Sequence, residues 1–427
     1  MKRWLTVGVA GAVATALATA CTGCGGPLDP GTDDPHTLVV HSRFAPGTYG
    51  ADTYASVVAQ FERENPDVHI KNLYNGDDIF NSFETARLAD KEADVLLINL
   101  YDKAYSWTEL GATPPVNRYL KEWGLKDRVE SRALKAWTDD KGRVRAFPWT
   151  GFTWPVLVNS KLLHRAGVEK PPRTMPELRA ALKALRAANI PAMTIGGNDW
   201  SGQKFLMQVA QGYMEPAVAK RVFSEGGYCA EPQARKGLRL FAQLRDAGLF
   251  VKGAQGLNAD QMNADYLEER AAMMPAISST IAAVPAPLAR HTEIAGFPVP
   301  SDGTYDKPTV YNGATSTGIW LTPNGTEKPD LTEKFVKFLY RKDVVQKFID
   351  KSGYVMTMRG QRPSKGRPLV SESSRVTHGD TVSEAVMPDD YVPPAVSTPL
   401  NRATSLAYTR GTDVQAMCKA LDTAYRS

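Results

Sequence analysis

Between Arg143 and Asn159 the sequence reads RVRAFPWTGFTWPVLVN, with Trp149, Phe152 and Trp154 close together. Indole and phenyl faces stack on flat, weakly apolar molecules, while nearby hydroxyl, amide and carboxyl groups could hold such a molecule by its edge. Gly151 and the prolines Pro148 and Pro155 break the run, so the rings cannot all enter one ordinary strand. Two arrangements are open. One is a strand–loop–strand whose rings belong to the core. The other is a crossing between two lobes with the rings exposed in a cleft, and the rest of the chain favours it.

Signals for bond-making chemistry are weak. Gly313-Ala314-Thr315-Ser316-Thr317-Gly318 has the wrong spacing for a nucleophile elbow. No H-E-x-x-H, P-loop, G-x-G-x-x-G or EF-hand loop occurs. The histidines His36, His41, His69, His164, His291 and His378 are scattered without helical ligand spacing, so neither a metal nor another cofactor is expected. Carboxylates are plentiful. Motif alone therefore leaves open a secreted glycoside-cleaving enzyme, which would need two of them facing across the cleft.

The elements that must position these groups are those of a large α/β chain. At 427 residues it exceeds one ordinary core and fits two or more lobes. The net charge of +5 is spread without a Lys/Arg block, which argues against a nucleic-acid partner. Lys2 and Arg3 precede the uncharged run Trp4 to Ala20, the composition of an export signal; a membrane anchor is the alternative. Leu17-Ala18-Thr19-Ala20-Cys21 resembles the lipobox of bacterial lipoproteins, which implies cleavage before Cys21 and its lipidation. Ala18 stands where leucine is usual, and Cys24 is the rival site. Residues 22–35 are rich in Gly, Pro, Asp and Thr and read as a tether.

Further along, Leu38-Val39-Val40 is a short buried strand, and Tyr54, Val57, Val58 and Phe61 recur at helical spacing. Val68 and Ile70 alternate as a second strand, a helix starts near Ile79, and Val95 to Ile98 is a continuous apolar strand suited to a covered parallel sheet. After the central stretch, Thr174-Met175-Pro176-Glu177 is a capping box opening a helix with Leu178, Leu182 and Leu185. Ala192 to Ile195 reads as a strand ending in a loop that carries Asp199 and Trp200. Leu238, Phe241 and Leu244 mark a helix closed by Gly248. Ala271 to Met274 is a strand leading to Ser278 and Ser279. Ile294 to Val299 is a second candidate crossing. Tyr311 to Thr322 is strand-like, Leu331 to Phe348 is a long helical region closed by Gly353, and Tyr354-Val355-Met356 is a third candidate crossing. A last helix covers Val414 to Tyr425.

This order of parts resembles the extracellular solute-binding proteins of ABC-type importers, in the sugar-binding branch related to the maltodextrin-binding proteins. The carriers are FERENPDVHI, ADVLLINL, GRVRAFPWTGFTWPVLVNSKLLHRAGVEKPPRTMPEL, ERAAMMPAISS, GFPVP and EKFVKFLYRKDVVQKFI followed by SGY. Two departures fall at cleft positions. Ile277-Ser278-Ser279 replaces a small-Gly-Trp pattern, and Asn312-Gly313 replaces a Gly-Gly pair. The resemblance implies an α/β, two-lobe periplasmic-binding-protein-like fold with a three-segment hinge. Composition sets a signal at 1–20 and a tether at 21–36, and the resemblance, which starts near Thr37, sets lobe one at 37–148 and 298–353 and lobe two at 149–297 and 354–427. It also implies a monomeric, non-catalytic receptor, anchored outside the cell membrane, that hands a carbohydrate to a permease; a receptor of the same fold for a non-sugar solute, such as a polyamine or organic phosphate, is the alternative.

A sugar has weakly apolar ring faces and a hydroxylated edge, so its site needs aromatic platforms and convergent donors and acceptors. Loops following the strands of an α/β lobe supply such groups. The candidates are Arg43, Phe44, Asp78, Tyr101, Asp102, Trp149, Phe152, Asp199, Trp200, Ser278, Ser279, Tyr311 and Asn312. Bland readings stand beside them: Asp78 as a helix-terminus charge, Ser278 or Ser279 as an N-cap, Arg43 as a surface pair. Cys229 and Cys418 both fall in lobe-two segments of an exported protein, so they are expected either to pair or to stay buried thiols.

Overall fold

The computed structural model describes residues 34–75, 78–100, 104–361 and 366–426. The expectations for Cys21, Cys24, Tyr101 and Asp102 lie outside the described residues. Among the described residues twelve strands follow in chain order: β1 (Thr37–Ser42), β2 (His69–Leu73), β3 (Val95–Asn99), β4 (Phe147–Pro148), β5 (Thr150–Trp154), β6 (Val156–Asn159), β7 (Met273–Pro275), β8 (Thr292–Ala295), β9 (Thr309–Gly313), β10 (Thr317–Leu321), β11 (Val355–Met356) and β12 (Ser383–Glu384). They form three sheets, ordered β2-β1-β3-β10-β4, β11-β5-β9-β12 and β7-β6-β8.

The first sheet belongs to lobe one. β1 pairs in parallel with β2 and β3, and β10 returns antiparallel between β3 and β4. Leu38–Val40 and Val95–Ile98 are buried throughout, as expected of strands covered on both faces. The helix Ala51–Glu64 turns Tyr54, Val57, Val58 and Phe61 onto this core, and the indoles of Trp107, Trp137, Trp149 and Trp320 fill it. The third sheet carries the second core. The helix Met175–Ala187 packs there with the expected capping box between Thr174 and Glu177. Cys229 and Cys418 are bonded, joining the loop after the helix Pro216–Glu225 to the helix Val414–Ala424. Asp422 reinforces the junction by accepting the N–H groups of Gly227, Tyr228 and Cys229.

The central stretch is a crossing. β4, β5 and β6 lie in three different sheets, separated only by Trp149 and Pro155. Of the other two candidate crossings, the second comes later than the sequence suggests, and the third falls on β11. Phe297 still bridges Thr309, and residues 298–308 dock on lobe two, with Thr304 N–H donating to the Gly212 carbonyl and Lys236 pairing with Asp302. The chain returns to lobe one between β9 and β10, at Ala314 to Ser316. Gly296 and Pro298 interrupt a strand there without ending the lobe. The third candidate, Tyr354-Val355-Met356, carries β11 in the same sheet as β5; Tyr354, Met356 and Met358 still pack on the first core, and the helix Pro368–Thr377 packs on the second.

Three local expectations change. The Tyr311 to Thr322 segment is two strands of different sheets. The long helical region is two helices, Pro329–Leu339 and Lys342–Ser352, because Arg341 is extended between them. Ala192 to Ile195 forms only a bridge at Met193, to Phe250 and Met273. It is pinched between Pro191 and Gly196, and its backbone partners come from two separate segments. Among the described residues no helix is long and apolar enough to cross a membrane.

Candidate functional site

The sheet β11-β5-β9-β12 sits where the lobes join, and strand alternation gives it two unlike faces. Phe152 and Trp154 point to one face, opposite Gly313 and Tyr311, while Thr153 and its partner Asn312 point to the other. Phe152 lies across Gly313 so closely that a Cβ there would meet its ring at 2.1 Å.

On the Phe152 face, the helix Trp200–Ala210 packs down with Trp200 in its first turn. Trp200 is 41% exposed and meets Trp154 edge-on at 5.4 Å between ring centroids. One turn further, Lys204 is almost fully buried. Its ammonium lies 5.0 Å from the Phe152 ring centroid and 5.9 Å from those of Trp154 and Trp200, and it pairs with the Asp389 carboxylate. The Trp154 ring is fully buried, yet its Nε1–H has no acceptor among the described residues. Asp390 reaches water but is crowded by protein. That crowding, and then the neighbouring Asp389 charge, push its pKa up to about 6 against the pull of Lys204 and Arg132.

Lobe one reaches this face through Tyr105, whose hydroxyl donates to the Asp389 carbonyl at 2.8 Å. Arg145 holds Tyr105 in place, with Nε donating to its carbonyl at 3.1 Å and the guanidinium over its ring. At the carboxyl ends of β1 and β3, Arg43 Nη1 donates to Asn99 Oδ1 at 3.0 Å and Thr317 Oγ1 at 3.1 Å. A half-exposed guanidinium held by neutral oxygens keeps donor capacity for a ligand.

The opposite face is covered by the helix Pro368–Thr377. Thr153 and Ser373 hydroxyls bond at 3.0 Å, Asn312 Nδ2 donates to the Thr377 carbonyl at 2.8 Å, and Arg132 pairs with Glu384 at 2.9 Å. A cavity of 240 Å³ lies here, lined by Glu130, Thr153, Ser278, Tyr354, Ser373 and His378 among others. Its tyrosine, Tyr354, is buried and turned to the Tyr49 carbonyl. The exposed indole and the unmatched Trp154 donor lie on the other face, which makes that face the candidate site.

The sequence candidates therefore divide. Trp149 is not a cleft ring: it is fully buried in lobe one, with Nε1 donating to the Leu339 carbonyl and its ring against Phe348 at 4.8 Å. Phe44 joins the same core, stacked on Tyr54 at 5.2 Å. Tyr311 is buried, and Gln211 donates to its hydroxyl. Asn312 is buried on the wrong face. Phe152 is buried beneath Lys204. These rings and amides lost their solvent because the hinge sheet is itself packed on both sides. Asp199 is an N-cap, accepting from Ser201 N–H at 2.9 Å and Ala259 N–H at 2.5 Å. Asp78 is exposed and bound to Asn81 rather than to backbone. Ser278 is buried and Ser279 half-exposed in the first turn of the helix Ser278–Ala283, just after Ile277, which packs on the Phe152 cluster. Of the aromatic candidates, Trp200 keeps its exposure. Lys204, Asp389, Asp390 and Tyr105 were missed. The helical step from Trp200 to Lys204 was available once WSGQKFLM is read as a helix, and the acidic pair after Pro388 was visible but unplaced.

Comparisons with known proteins agree with this architecture. The family profile described as bacterial extracellular solute-binding protein matches residues 47–346. The crystal structure of a probable secreted solute-binding lipoprotein from Streptomyces coelicolor is similar at 47% identity and TM-score 0.84, covering 93% of this chain and 100% of that one. A multiple sugar-binding protein of Streptococcus mutans serotype c is 23% identical over 339 residues, 74% of each chain. A chitin oligosaccharide binding protein shares the fold at 21% identity and TM-score 0.72, over 92% of this chain and 99% of that one. With most of its length matched by the family profile and nearly all of it by a 47% identical structure, this chain belongs to the bacterial extracellular solute-binding protein family.

Proposed function

We propose that the protein is a lipid-anchored receptor, held outside the cell membrane through Cys21, that binds a carbohydrate between its lobes and delivers it to an ABC-type permease. The observation that carries this reading is the exposed Trp200 beside Trp154, Lys204 and Asp389, at a junction which Tyr105 of the other lobe also reaches. The names of the relatives, multiple sugar-binding and chitin oligosaccharide binding, support a saccharide ligand. In this reading lobe one is roughly 37–148 with 317–358, and lobe two is the remainder up to the C-terminus. Three crossings permit bending with little twist, and closure around the ligand excludes water, strengthens its hydrogen bonds and forms a surface the permease reads. The protein acts as a monomer and catalyses nothing.

The test is a thermal-shift screen over mono- and oligosaccharides, since a ligand that binds only the folded state raises the melting temperature. Saturable binding without product is expected. Small-angle scattering should then show compaction on adding the ligand. Sugar released at a useful rate would replace this reading with a glycoside-active enzyme, and binding without compaction would remove the hinge mechanism.

A further inference from the structure

The face of the hinge sheet away from Trp200 holds a cavity that the cleft does not use. Its 240 Å³ exceed the roughly 150 Å³ in which an apolar protein cavity takes up benzene, so a small ring-bearing molecule fits. Both cores line it: Ile349 comes from the first, Ile281 and Val370 from the second. Most of its polar groups are already matched. Thr153 and Ser373 bond each other, both ends of the Gln361 amide are tied to the Met356 backbone, and the Tyr354 hydroxyl donates to the Tyr49 carbonyl. Others stay open. The Glu130 carboxylate and the Ser278 and Ser374 hydroxyls have no partner among the described residues. His378 Nδ1 donates to the Ser374 carbonyl at 2.9 Å, which leaves Nε2 as the acceptor of the neutral ring.

We infer that this cavity is a second small-molecule site, for a compact neutral molecule with a hydroxyl at each end of an aliphatic body. The Glu130 carboxylate only accepts, so it takes one hydroxyl as a donor, and the Ser374 hydroxyl and His378 ring take the other. The aliphatic body rests on Ile281, Ile349 and Val370. Charge selects against ions of either sign. The Glu130 carboxylate repels an anion. Guanidiniums beside the lining repel a cation: Arg359 donates to the Val129 carbonyl at 3.0 Å, next to Glu130, and Arg367 to the Ala282 carbonyl at 2.9 Å, next to Ile281. The bound molecule spans the two cores. Glu130 starts the helix Ser131–Ala136, whose Ala133 packs in the first, and Ser374 belongs to the helix Pro368–Thr377, which packs on the second. The inference goes beyond the receptor reading and does not need the cleft ligand to be a sugar.

The test is a ligand-observed NMR titration of the purified protein with the cyclohexanediol whose hydroxyls lie on opposite ring carbons. It is run on the wild type, Glu130→Ala, Ser374→Phe and Trp200→Ala, each checked for folding by circular dichroism. Glu130 is half-buried and unpaired, so Glu130→Ala preserves the fold even if Ser374→Phe, which fills the cavity with a ring, does not. Trp200→Ala reports any uptake in the cleft instead. The expected result is saturable binding to the wild type, about ten-fold weaker in Glu130→Ala, as for one lost hydrogen bond to a charged group, absent in Ser374→Phe and unchanged in Trp200→Ala. Cyclohexylammonium and cyclohexanecarboxylate should bind more weakly than the diol. The inference is overturned by no binding to the wild type, by undiminished binding in Glu130→Ala or in folded Ser374→Phe, by binding lost in Trp200→Ala, or by preference for either ion. No saccharide enters the experiment, so its failure leaves the receptor reading standing, and failure of that reading leaves this result standing.

Discussion

Replacing Trp149 by alanine should unfold lobe one long before it disturbs recognition. The indole is fully buried, packs at 4.8 Å on Phe348 and 6.0 Å on Phe44, and donates to the Leu339 carbonyl at the end of a helix. Truncating a core Trp to Ala costs about 3–5 kcal/mol, and the carbonyl left without its donor places this site toward the upper end. Trp200 lies one strand away and behaves oppositely. Its ring is 41% exposed and touches the fold mainly through Trp154, so Trp200→Ala should cost roughly 1–2 kcal/mol of stability. It should cost about 1–3 kcal/mol of binding to a confirmed ligand, the scale of an aromatic hot spot. The assay is urea unfolding followed by circular dichroism and fluorescence in parallel, because two lobes need not unfold as one unit. It is paired with calorimetry at a temperature where both variants are folded. An unchanged unfolding midpoint for Trp149→Ala would refute the core assignment. Unchanged affinity for Trp200→Ala would remove Trp200 from the site.

Reducing the Cys229–Cys418 bond, which spans a sequence separation of 189 residues, should lower lobe-two stability by about 2–5 kcal/mol; thiol labelling of denatured, unreduced protein should find neither cysteine free. Gly313→Ala should destabilise the hinge sheet or displace Phe152, because the new Cβ would sit 2.1 Å from that ring; a wild-type melting curve would contradict the packing described. Asp390 binds its proton more tightly folded than unfolded, so its contribution favours folding at low pH and is lost as pH rises from about 4 toward about 6. Asp390→Asn should therefore raise the melting temperature at pH 7 and change it little at pH 4, and the reverse pattern would show that its surroundings stabilise the charge.

Much of the fold was legible because its parts announce themselves locally. Tyr54 to Phe61 repeat at helical spacing, Val95 to Ile98 form an unbroken apolar strand, and Thr174 with Glu177 mark a helix start; each obeys a rule of a few residues. The site was less legible because exposure depends on which face of the hinge sheet is covered and by what. Trp149 and Trp200 look alike in sequence. One is buried by Phe44 and Phe348, residues remote along the chain, and the other escapes only because it starts a helix at the junction. Lys204 and Asp389 are 185 residues apart, and nothing short of the tertiary fold brings their charges together. The second crossing is placed too early for the same reason: Gly296 and Pro298 signal a break, but not to which core the chain attaches afterwards.

The position of β10 bears on how the chain comes into being. In the lobe-one sheet β10 is the strand that joins β3 to β4. A nascent chain that has emerged only to residue 300 holds β1 to β4 but lacks the strand that closes them into one sheet. It also lacks the helices Pro329–Leu339 and Lys342–Ser352 that cover the Phe61 and Trp149 side chains. The second lobe is similarly delayed, since its helix Val414–Ala424 and its disulfide partner Cys418 come from the end of the chain. Contacts of such long sequence separation form slowly and only after their last member is made. Completion of both lobes is consequently expected to wait for the last third of the sequence, which supplies β10 and the helices that cover the two cores.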